Sequence, residues 1–261
     1  MLQPVSEAVG DLRAAWRGRR IAMAFAHEDV ADAYRKTSLG PIWMLISYLL
    51  FNCAIVFVAG HPADIPNYIG FVACGLLVFQ FMSEVISDGV TLFHREQPYI
   101  KGTTLPISIY VFRLTCRSML RNAYPLAGAV GLLLYSGEIP NVAWLYAIAG
   151  IVLIILATPA VVTVAAIIGA LSPDMGFVVQ NVLRLSFFLS PVFWDKTEDP
   201  IREIFYHLNP FTYFISIVRT PIIKGYPDAF AWLVAIAITL VFWLIAILLL
   251  GRFRNRIVFL V

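Results

Sequence analysis

The sequence predicts an all-α membrane protein with six transmembrane helices and both chain ends on the cytoplasmic side. Three properties of the chain lead to this class. Of its 261 residues, 60% are hydrophobic and 13% are charged, whereas a soluble domain is usually about 45–50% apolar and about 25% charged. Several runs with few or no charges approach or exceed the ~20 residues that a transmembrane helix needs. The third property is the uneven distribution of Lys and Arg along the chain.

Six segments have the length and composition of membrane-spanning helices. Four of them contain no charged residue and extend over residues 42–59, 65–83, 139–173 and 229–251. The other two, 105–135 and 175–192, contain arginine within largely apolar sequence. We therefore predict a transmembrane domain over residues 41–251. Because six is an even number, both termini are expected on the same side of the membrane.

The positions of Lys and Arg indicate which side that is. Eleven of them lie before the first span, between the second and third spans, or after the last span. The loops on the opposite side contain four, all between spans five and six. Since basic residues are enriched in cytoplasmic loops, residues 1–40 and the tail 252–261 are predicted to be cytoplasmic. The net charge of only +3 gives no reason to expect a nucleic-acid partner.

The N-terminal segment is predicted to contain one interfacial helix over residues 12–36. Cations, acids and apolar residues are mixed there without a long apolar run, which suits a helix lying in the inner membrane interface. Gly40-Pro41 ends this helix and begins the first span, because proline is accepted in a first helical turn. A plain anchor and turn explains the segment. The alternative is contact with a soluble partner through Glu28, Asp29, Asp32, Arg35 and Lys36.

Motifs for catalysis or metal binding are missing from the sequence. It contains no phosphate-binding G-x-x-x-x-G-K-[ST] loop, no H-E-x-x-H and no G-x-S-x-G. The four histidines lie in different loops, and the three cysteines fall in apolar segments, where buried free thiols are expected. We therefore predict no catalytic residue, and neither a metal nor a cofactor bound by this chain.

Three arginines follow one another at four-residue spacing in the third span. Arg113, Arg117 and Arg121 lie along one face of the helix. Arg117 is about 29 Å along the helix from the outer boundary at Ser136, so it is expected near the inner boundary. Snorkelling to lipid head groups explains this position. The alternative is a phosphate-binding ladder, because guanidinium binds phosphate through paired donors.

A fourth arginine, Arg184, is predicted near the middle of the membrane. It follows Asp174 by ten residues, or about 15 Å of helix. A charge at that depth is costly and normally faces a water-filled cavity or a buried partner. Glu84 and Asp88 are possible partners, although they are expected near the inner end of span two. The position favours a polar pathway along this helix.

The segment between spans five and six is too polar to cross the membrane and is rich in aromatic residues. Residues 199–208 and 211–220 each fit a short helix, and Asn209-Pro210 separates them. Irregular backbone at membrane depth must be covered by protein or line a cavity. We therefore predict a re-entrant pair of short helices over residues 195–225 that dips into the outer leaflet.

Four blocks of the sequence, in this order, resemble one known family. They are YRKTSLGPIW at residues 34–43, LP at 105–106 after a cytoplasmic segment, LSPVFW at 189–194, and LNPFTY at 208–213 followed by Arg219. Over residues 25–250 the chain is similar to the membrane subunits of bacterial type 2 ABC exporters. The resemblance is to the polysaccharide-export permeases for O-antigen, capsule or teichoic acid.

The resemblance implies the permease of an ABC transporter in the bacterial inner membrane. Two copies of the chain would form a homodimer and bind two copies of a separate ATPase, which would hold ATP and Mg²⁺. The cargo would be a lipid-diphosphate-linked polysaccharide in a channel at the dimer interface, and the re-entrant pair would be an outer gate. The ATPase would contact the charged residues of the N-terminal helix together with Arg95 and Lys101.

The predicted substrate path runs from the three arginines past Arg184 to aromatic residues near the outer gate. Aromatic rings stack on the apolar faces of sugars without demanding one hydrogen-bond pattern. The candidates are Trp194, Phe205, Tyr206, Phe211, Tyr213 and Phe214. Interfacial packing and an aromatic belt are the alternative roles of these rings.

Two other classes of function remain open at this point. A type 2 ABC exporter of lipids or drugs would share the topology but has less reason for a basic segment before span one and a midplane arginine. An intramembrane transferase of lipid-linked sugars would need an acidic metal-binding cluster at the inner face. Glu84, Asp88 and Glu96 are acidic there, but their spacing matches no such cluster.

Overall fold

The computed structural model describes residues 2–60, 65, 67–195 and 200–260, which form helices and connecting turns without a strand. In chain order the described helices are α1 (Leu2–Arg17), α2 (Arg19–Tyr34), α3 (Ile42–Ala59), α4 (Tyr68–Val90), α5 (Leu92–Arg95), α6 (Gln97–Gly102), α7 (Ile107–Tyr135), α8 (Trp144–Leu171), α9 (Met175–Leu189), α10 (Pro200–Leu208), α11 (Pro210–Ile223) and α12 (Ala229–Leu260). The prediction of an all-α protein is confirmed.

Among the described helices, four are long and apolar enough to cross a membrane: α3, α4, α8 and residues Ala229–Arg254 of α12. The other two predicted spans also coincide with helices, α7 and α9. α7 has 29 residues, but its three arginines interrupt the apolar sequence. α9 has 15 residues, or about 22 Å, which is shorter than the ~30 Å hydrocarbon core of a bilayer.

α4 lies at the centre of the bundle and packs against α3, α7, α8, α9 and α11. Its residues 70–79 are all buried. The helices α3 and α9 lie at the edge. In these two fully described helices the buried residues are Tyr48 and Asn52 of α3 and Leu183 of α9. Both helices therefore leave broad apolar surfaces uncovered by the rest of the chain.

The N-terminal segment forms two helices, so the prediction of one helix over residues 12–36 is wrong. The chain bends at Gly18 between α1 and α2, where a Cβ would lie 3.1 Å from Cδ1 of Ile109. α2 packs on α7 through Ala22, Ala26 and Val30, which recur every four residues and are buried. Small side chains at this spacing allow the two helices to approach closely.

Asp11 attaches α1 to the rest of the bundle. Its carboxylate, which is 4% exposed, accepts a hydrogen bond from the backbone N–H of Ser108 at 2.9 Å. A negative charge at this first turn of α7 interacts favourably with the helix dipole. The carboxylate also lies 3.5 Å from Arg254 of α12. α12 continues to Leu260, so most of the predicted tail 252–261 extends the last span as a helix.

The predicted break before the first span is confirmed. α2 ends at Tyr34 and α3 begins at Ile42. Gly40 has a φ of +57°, a backbone conformation that glycine adopts without strain. Pro41 then stands directly before α3. This break separates the helices that contact α7 from the exposed helix α3.

The two short helices predicted after span five are present as α10 and α11. Residues 196–199, part of the predicted segment, lie outside the described residues. Asn209 begins α11 by accepting a hydrogen bond from the N–H of Phe211 at 3.0 Å, as a helix cap does. Residues 211–219 of α11 are all buried, whereas most described side chains of α10 are exposed. We call the bundle end that carries α1, α2, α5 and α6 the N-terminal end, and the end that carries α10 the far end.

Candidate functional site

The three arginines of α7 form a row of ion pairs, which we call the charge ladder. Arg113 donates to both oxygens of Asp29, at 2.6 and 2.8 Å, and to Glu96 at 2.8 Å. Its guanidinium therefore joins α7 to α2 and to the turn before α6. A paired fork of this kind has fixed geometry as well as charge.

The other two arginines of the charge ladder pair with acids of α4. Arg117 donates to Asp88 at 2.6 Å. Arg121 lies 3.0 Å from Glu84 and 3.8 Å from Asp88. The interpretation that Glu84 and Asp88 are partners of Arg184 is therefore wrong. The acids repeat every four residues on α4 as the arginines do on α7, so the two rows stay in register along the helices.

The charge ladder contains acidic partners that neither interpretation of the three arginines included. Three guanidinium groups meet four carboxylates, and the arginine side chains are only 15–32% exposed. The arginines thus turn inward onto acids instead of extending outward. A phosphate that bound here would have to displace a carboxylate.

A polar cavity of about 390 Å³ opens beside the last rung of the charge ladder. We call it the ladder cavity. Arg121 and Glu84 line it together with Asn122 of α7, Gln80 of α4 and Trp43 of α3. The meeting of these positions on three helices was not predicted from the sequence. One part of the arrangement is visible in the sequence, because Gln80 continues the four-residue spacing of Glu84 and Asp88 and therefore lies on the same face of α4.

Arg184 lies on the uncovered side of α9. Its side chain is exposed, as are those of Val182, Leu185 and Phe188 around it. Among the residues that the structure describes, none forms an ion pair with it. The guanidinium of Arg184 therefore projects from an apolar helix surface, and it has no acidic partner among the described residues.

An aromatic cluster that the sequence did not predict holds α9 in place. Phe187 contacts Phe51 of α3, Phe79 of α4 and Phe193, with ring centroids 5.7, 5.3 and 5.8 Å away. Phe79 also contacts Phe211 of α11 at 5.0 Å. Phe187 follows Arg184 by three residues, so the two side chains lie on neighbouring parts of the α9 surface, and Arg184 stands at the border between the packed face and the exposed surface.

Residues 190–193, which follow α9, are held by α4 and α11, and we call this arrangement the clasp. Asn209 donates from its amide to Ser190 Oγ at 2.8 Å. The guanidinium of Arg219, 5% exposed, donates to the carbonyl of Pro191 at 2.5 Å. A Cβ on Gly75 of α4 would lie 2.8 Å from the carbonyl of Val192. Only glycine permits this approach of two backbones.

The part of the chain that contains the charge ladder, α9 and the clasp is similar to a known protein family. Residues 23–223 match the family described as ABC-2 type transporter. The chain belongs to this family. Its matched region contains the charge ladder, Arg184 and the clasp. This ABC-2 transporter is therefore an integral membrane protein and a component of a transporter.

Three relatives make the resemblance more specific. The ABC-2 transporter is 24% identical over 211 residues to the O-antigen export system permease protein RfbA of Myxococcus xanthus, covering 76% of this chain and 78% of that relative. Two proteins of the same name from Klebsiella pneumoniae are 23% and 22% identical over 130 residues, covering 49% of this chain and 50% of each relative. The resemblance to polysaccharide-export permeases is thereby confirmed.

Two blocks of that resemblance meet in the clasp of the ABC-2 transporter. LSPVFW supplies Ser190 and Pro191, while LNPFTY supplies Asn209 and is followed by Arg219. The sequence separation of the two blocks does not indicate how close they lie in the structure. The clasp joins the end of α9 to the start of α11.

The aromatic candidates of the ABC-2 transporter divide into two groups. Phe211, Tyr213 and Phe214 are buried in α11 and pack within the bundle. Phe205 is exposed, while Trp194 and Tyr206 are partly exposed and contact each other with ring centroids 6.4 Å apart. The packing interpretation thus fits the first group, and the second group stays available to a ligand at the far end.

The candidate contacts for an ATPase lie at the N-terminal end. The exposed ones are Glu28, Asp32, Arg35, Lys36, Arg95 and Lys101. Asp29 differs, because its carboxylate is engaged by Arg113 inside the ABC-2 transporter. Arg95 is partly covered, with 37% of its side chain exposed. This desolvation and the neighbouring Arg117 lower the pKa of Arg95, and Asp88 and Glu96 oppose that shift.

Proposed function

We propose that this ABC-2 transporter is the transmembrane subunit of an exporter that carries a lipid-diphosphate-linked polysaccharide across the inner membrane. ATP and Mg²⁺ would be bound by a separate subunit, whose hydrolysis drives transport. The names of the three relatives support a polysaccharide as cargo. Within the chain, the observation that carries the proposal is the exposed Arg184 on α9.

Arg184 requires a polar surrounding that lipid does not supply. It lies about 15 Å along the helix from Asp174, and a charge near the bilayer centre faces a water-filled cavity or a partner. The aromatic cluster packs Phe187 of α9 against Phe51 of α3 and Phe79 of α4, and it leaves the surface with Val182, Leu185 and Phe188 exposed. The uncovered surface of α9 therefore suits the wall of a polar channel that a glycan can pass.

A homodimer supplies the other wall of that channel. The helices α3 and α9 are the least covered of the candidate spans, and Phe51 of α3 contacts Phe187 of α9. A second copy that packs on this surface covers the apolar positions and encloses Arg184. With the N-terminal end in the cytoplasm, as the Lys and Arg distribution favours, α10 and α11 form a re-entrant outer gate.

The ladder cavity suits the diphosphate of the lipid carrier. In the proposed orientation it opens near the inner membrane boundary, and Arg121, Asn122 and Gln80 offer hydrogen-bond donors. Arginine binds phosphate through two parallel hydrogen bonds. Glu84 forms an ion pair with Arg121 in the structure. The diphosphate therefore displaces the Glu84 carboxylate from Arg121 when the lipid carrier binds.

The transferase alternative finds less support in the same geometry. It would use the acids of the inner face to hold a metal ion. Glu84, Asp88 and Glu96 instead form ion pairs with the three arginines of α7, and their charges serve the charge ladder.

The proposal is tested by measuring surface glycan in cells from which the gene for this chain has been deleted. The deletion strain is compared with the same strain carrying a plasmid copy of the gene. Deletion is expected to remove the polysaccharide from the surface and to leave the lipid-linked glycan inside the cell. Unchanged surface polysaccharide in the deletion strain would overturn the proposal. Arg184→Ala is expected to reduce export severalfold, whereas Arg13→Ala, the loss of an exposed arginine on α1, is the matched control.

A further inference from the structure

A second polar cavity lies at the far end, beneath α10 and beside the start of α12. Its volume is about 320 Å³, at the lower end of the range of about 300–1,000 Å³ found for small-molecule sites. We call it the far cavity. None of the residues of the charge ladder lines it, so it is distinct from the ladder cavity.

Polar groups of both signs converge on the far cavity. Arg219 and Lys224 are its cations, and Asp195 and Asp228 are its acids. Lys224 lies 3.8 Å from Asp195. Ser216 donates to Oδ2 of Asp228 at 3.0 Å, and Oδ1 of the same carboxylate accepts from the backbone N–H of Ala231 at 3.0 Å. Each oxygen keeps a second lone pair for a further donor.

The balance of charge selects the class of ligand. Among the described residues that line the cavity, two cations and two carboxylates give no net charge. A phosphate would meet the carboxylates, and a metal ion would meet the guanidinium and the ammonium group. A neutral molecule with many hydroxyl groups avoids both conflicts, since each hydroxyl can donate to a carboxylate and accept from a cation.

Two tyrosines add the apolar surface that such a ligand needs. Tyr206 and Tyr226 line the far cavity, and Tyr226 is 57% exposed at its rim. The C–H face of a pyranose packs on an aromatic ring while its hydroxyl groups point sideways to polar partners. Phe71 cannot serve in this way, because the guanidinium of Arg219 lies over its ring at 3.7 Å.

We propose that the far cavity binds one neutral sugar unit, with Asp228 and Lys224 as hydrogen-bonding partners and Tyr226 as the stacking surface. This proposal rests on the proposed function and adds to it a recognition site for the glycan. Arg219 connects that site to the clasp, because the same guanidinium donates to the carbonyl of Pro191. An occupied far cavity is thereby in contact with the segment that ends α9.

The experiment measures binding of free glucose, galactose, mannose and rhamnose, one at a time, to the full-length exporter in lipid nanodiscs. Saturation-transfer NMR detects weak sugar binding, and inorganic diphosphate serves as the charged probe. At least one sugar is expected to bind. Tyr226→Ala and Lys224→Gln, both at exposed side chains, should weaken that binding about tenfold, as the loss of a charged hydrogen bond or a stacking surface does.

Tyr135→Ala is the matched control, because Tyr135 is 82% exposed at the end of α7 and does not line the far cavity. It should leave sugar binding unchanged. The proposal is overturned if no sugar binds, if the variants at 224 and 226 bind as the unaltered chain does, or if diphosphate displaces the sugar. Surface glycan is measured in parallel: intact export without sugar binding refutes the far cavity alone, while sugar binding without export refutes the proposed function.

Discussion

Replacing Asp88 by asparagine separates the two possible roles of the charge ladder. Asp88 accepts from Arg117 at 2.6 Å and lies 3.8 Å from Arg121. If these arginines capture a diphosphate, Asp88 competes with the ligand for Arg117, as Glu84 competes for Arg121 in the ladder cavity, and Asp88→Asn should tighten ligand binding. If the pairs only hold α4 to α7, the same substitution should destabilise the protein without improving binding.

The expected gain follows from the geometry of the pair. A hydrogen bond between charged groups contributes about 1.5–3 kcal/mol. The side chains of Arg117 and Asp88 are 16% and 27% exposed, so solvent screens part of this energy. The ligand then has to replace an interaction between Arg117 and Asp88 of about 1 kcal/mol. Since 1.4 kcal/mol corresponds to a factor of ten, Asp88→Asn should bind the diphosphate about fivefold more tightly.

The assay is equilibrium binding of a fluorescent polyprenyl diphosphate to the purified chain in nanodiscs, without an ATPase. Asp32→Asn is the matched control, because it removes one acid of α2 whose side chain is 64% exposed and lies 3.8 Å from Arg35. That variant should bind as the unaltered chain does. An unchanged or weaker affinity of Asp88→Asn, with the fold intact in thermal unfolding, would show that the charge ladder is structural.

Three further predictions concern the clasp, the energy source and the outer gate. Asn209→Ala should lower the free energy of unfolding by about 1–2 kcal/mol, more than Asn209→Asp, which keeps the cap of α11; detergent-denaturation midpoints measure this. The purified chain should hydrolyse no ATP until a separate ATPase subunit is added, since its sequence has no phosphate-binding loop; phosphate release is the readout, and activity of the chain alone would refute this prediction. Tyr206→Ala should let ions leak through liposomes that contain the exporter without cargo, because bulky rings seal a resting gate. Phe211→Ala, which leaves a cavity beside Phe79, should instead lower the free energy of unfolding by about 3–5 kcal/mol.

The parts of the fold that the sequence predicted depend on local properties. Apolar segments and their boundaries follow from composition, and α3, α4, α8 and α12 were found in this way. Breaks at Gly40-Pro41 and Asn209-Pro210 follow from the backbone preferences of glycine, proline and asparagine. The bend at Gly18 was missed because a single glycine is tolerated inside many helices, and its close approach to Ile109 is a tertiary contact.

The partners of charged residues could be predicted only in part. The four-residue spacing of Arg113, Arg117 and Arg121 placed them on one face of a helix, and the structure agrees. Glu84 and Asp88 show the same spacing, which was a signal that the two helices pair their charges. Nothing in either segment indicates that Asp29 of α2 reaches Arg113, because that contact depends on how α2 crosses α7.

The aromatic residues show why composition alone did not locate a ligand site. All of residues 211–219 are buried, so α11 has no exposed face from which hydrophobic periodicity could separate packing from binding. The distinction arises from position: Phe211 lies in the cluster with Phe79, whereas Tyr206 lies one helix earlier at the far cavity. An aromatic residue in a membrane protein therefore has to be placed relative to the polar groups around it. By that criterion Tyr206 and Tyr226, which share a cavity with two acids and two cations, are the rings best suited to meet a sugar.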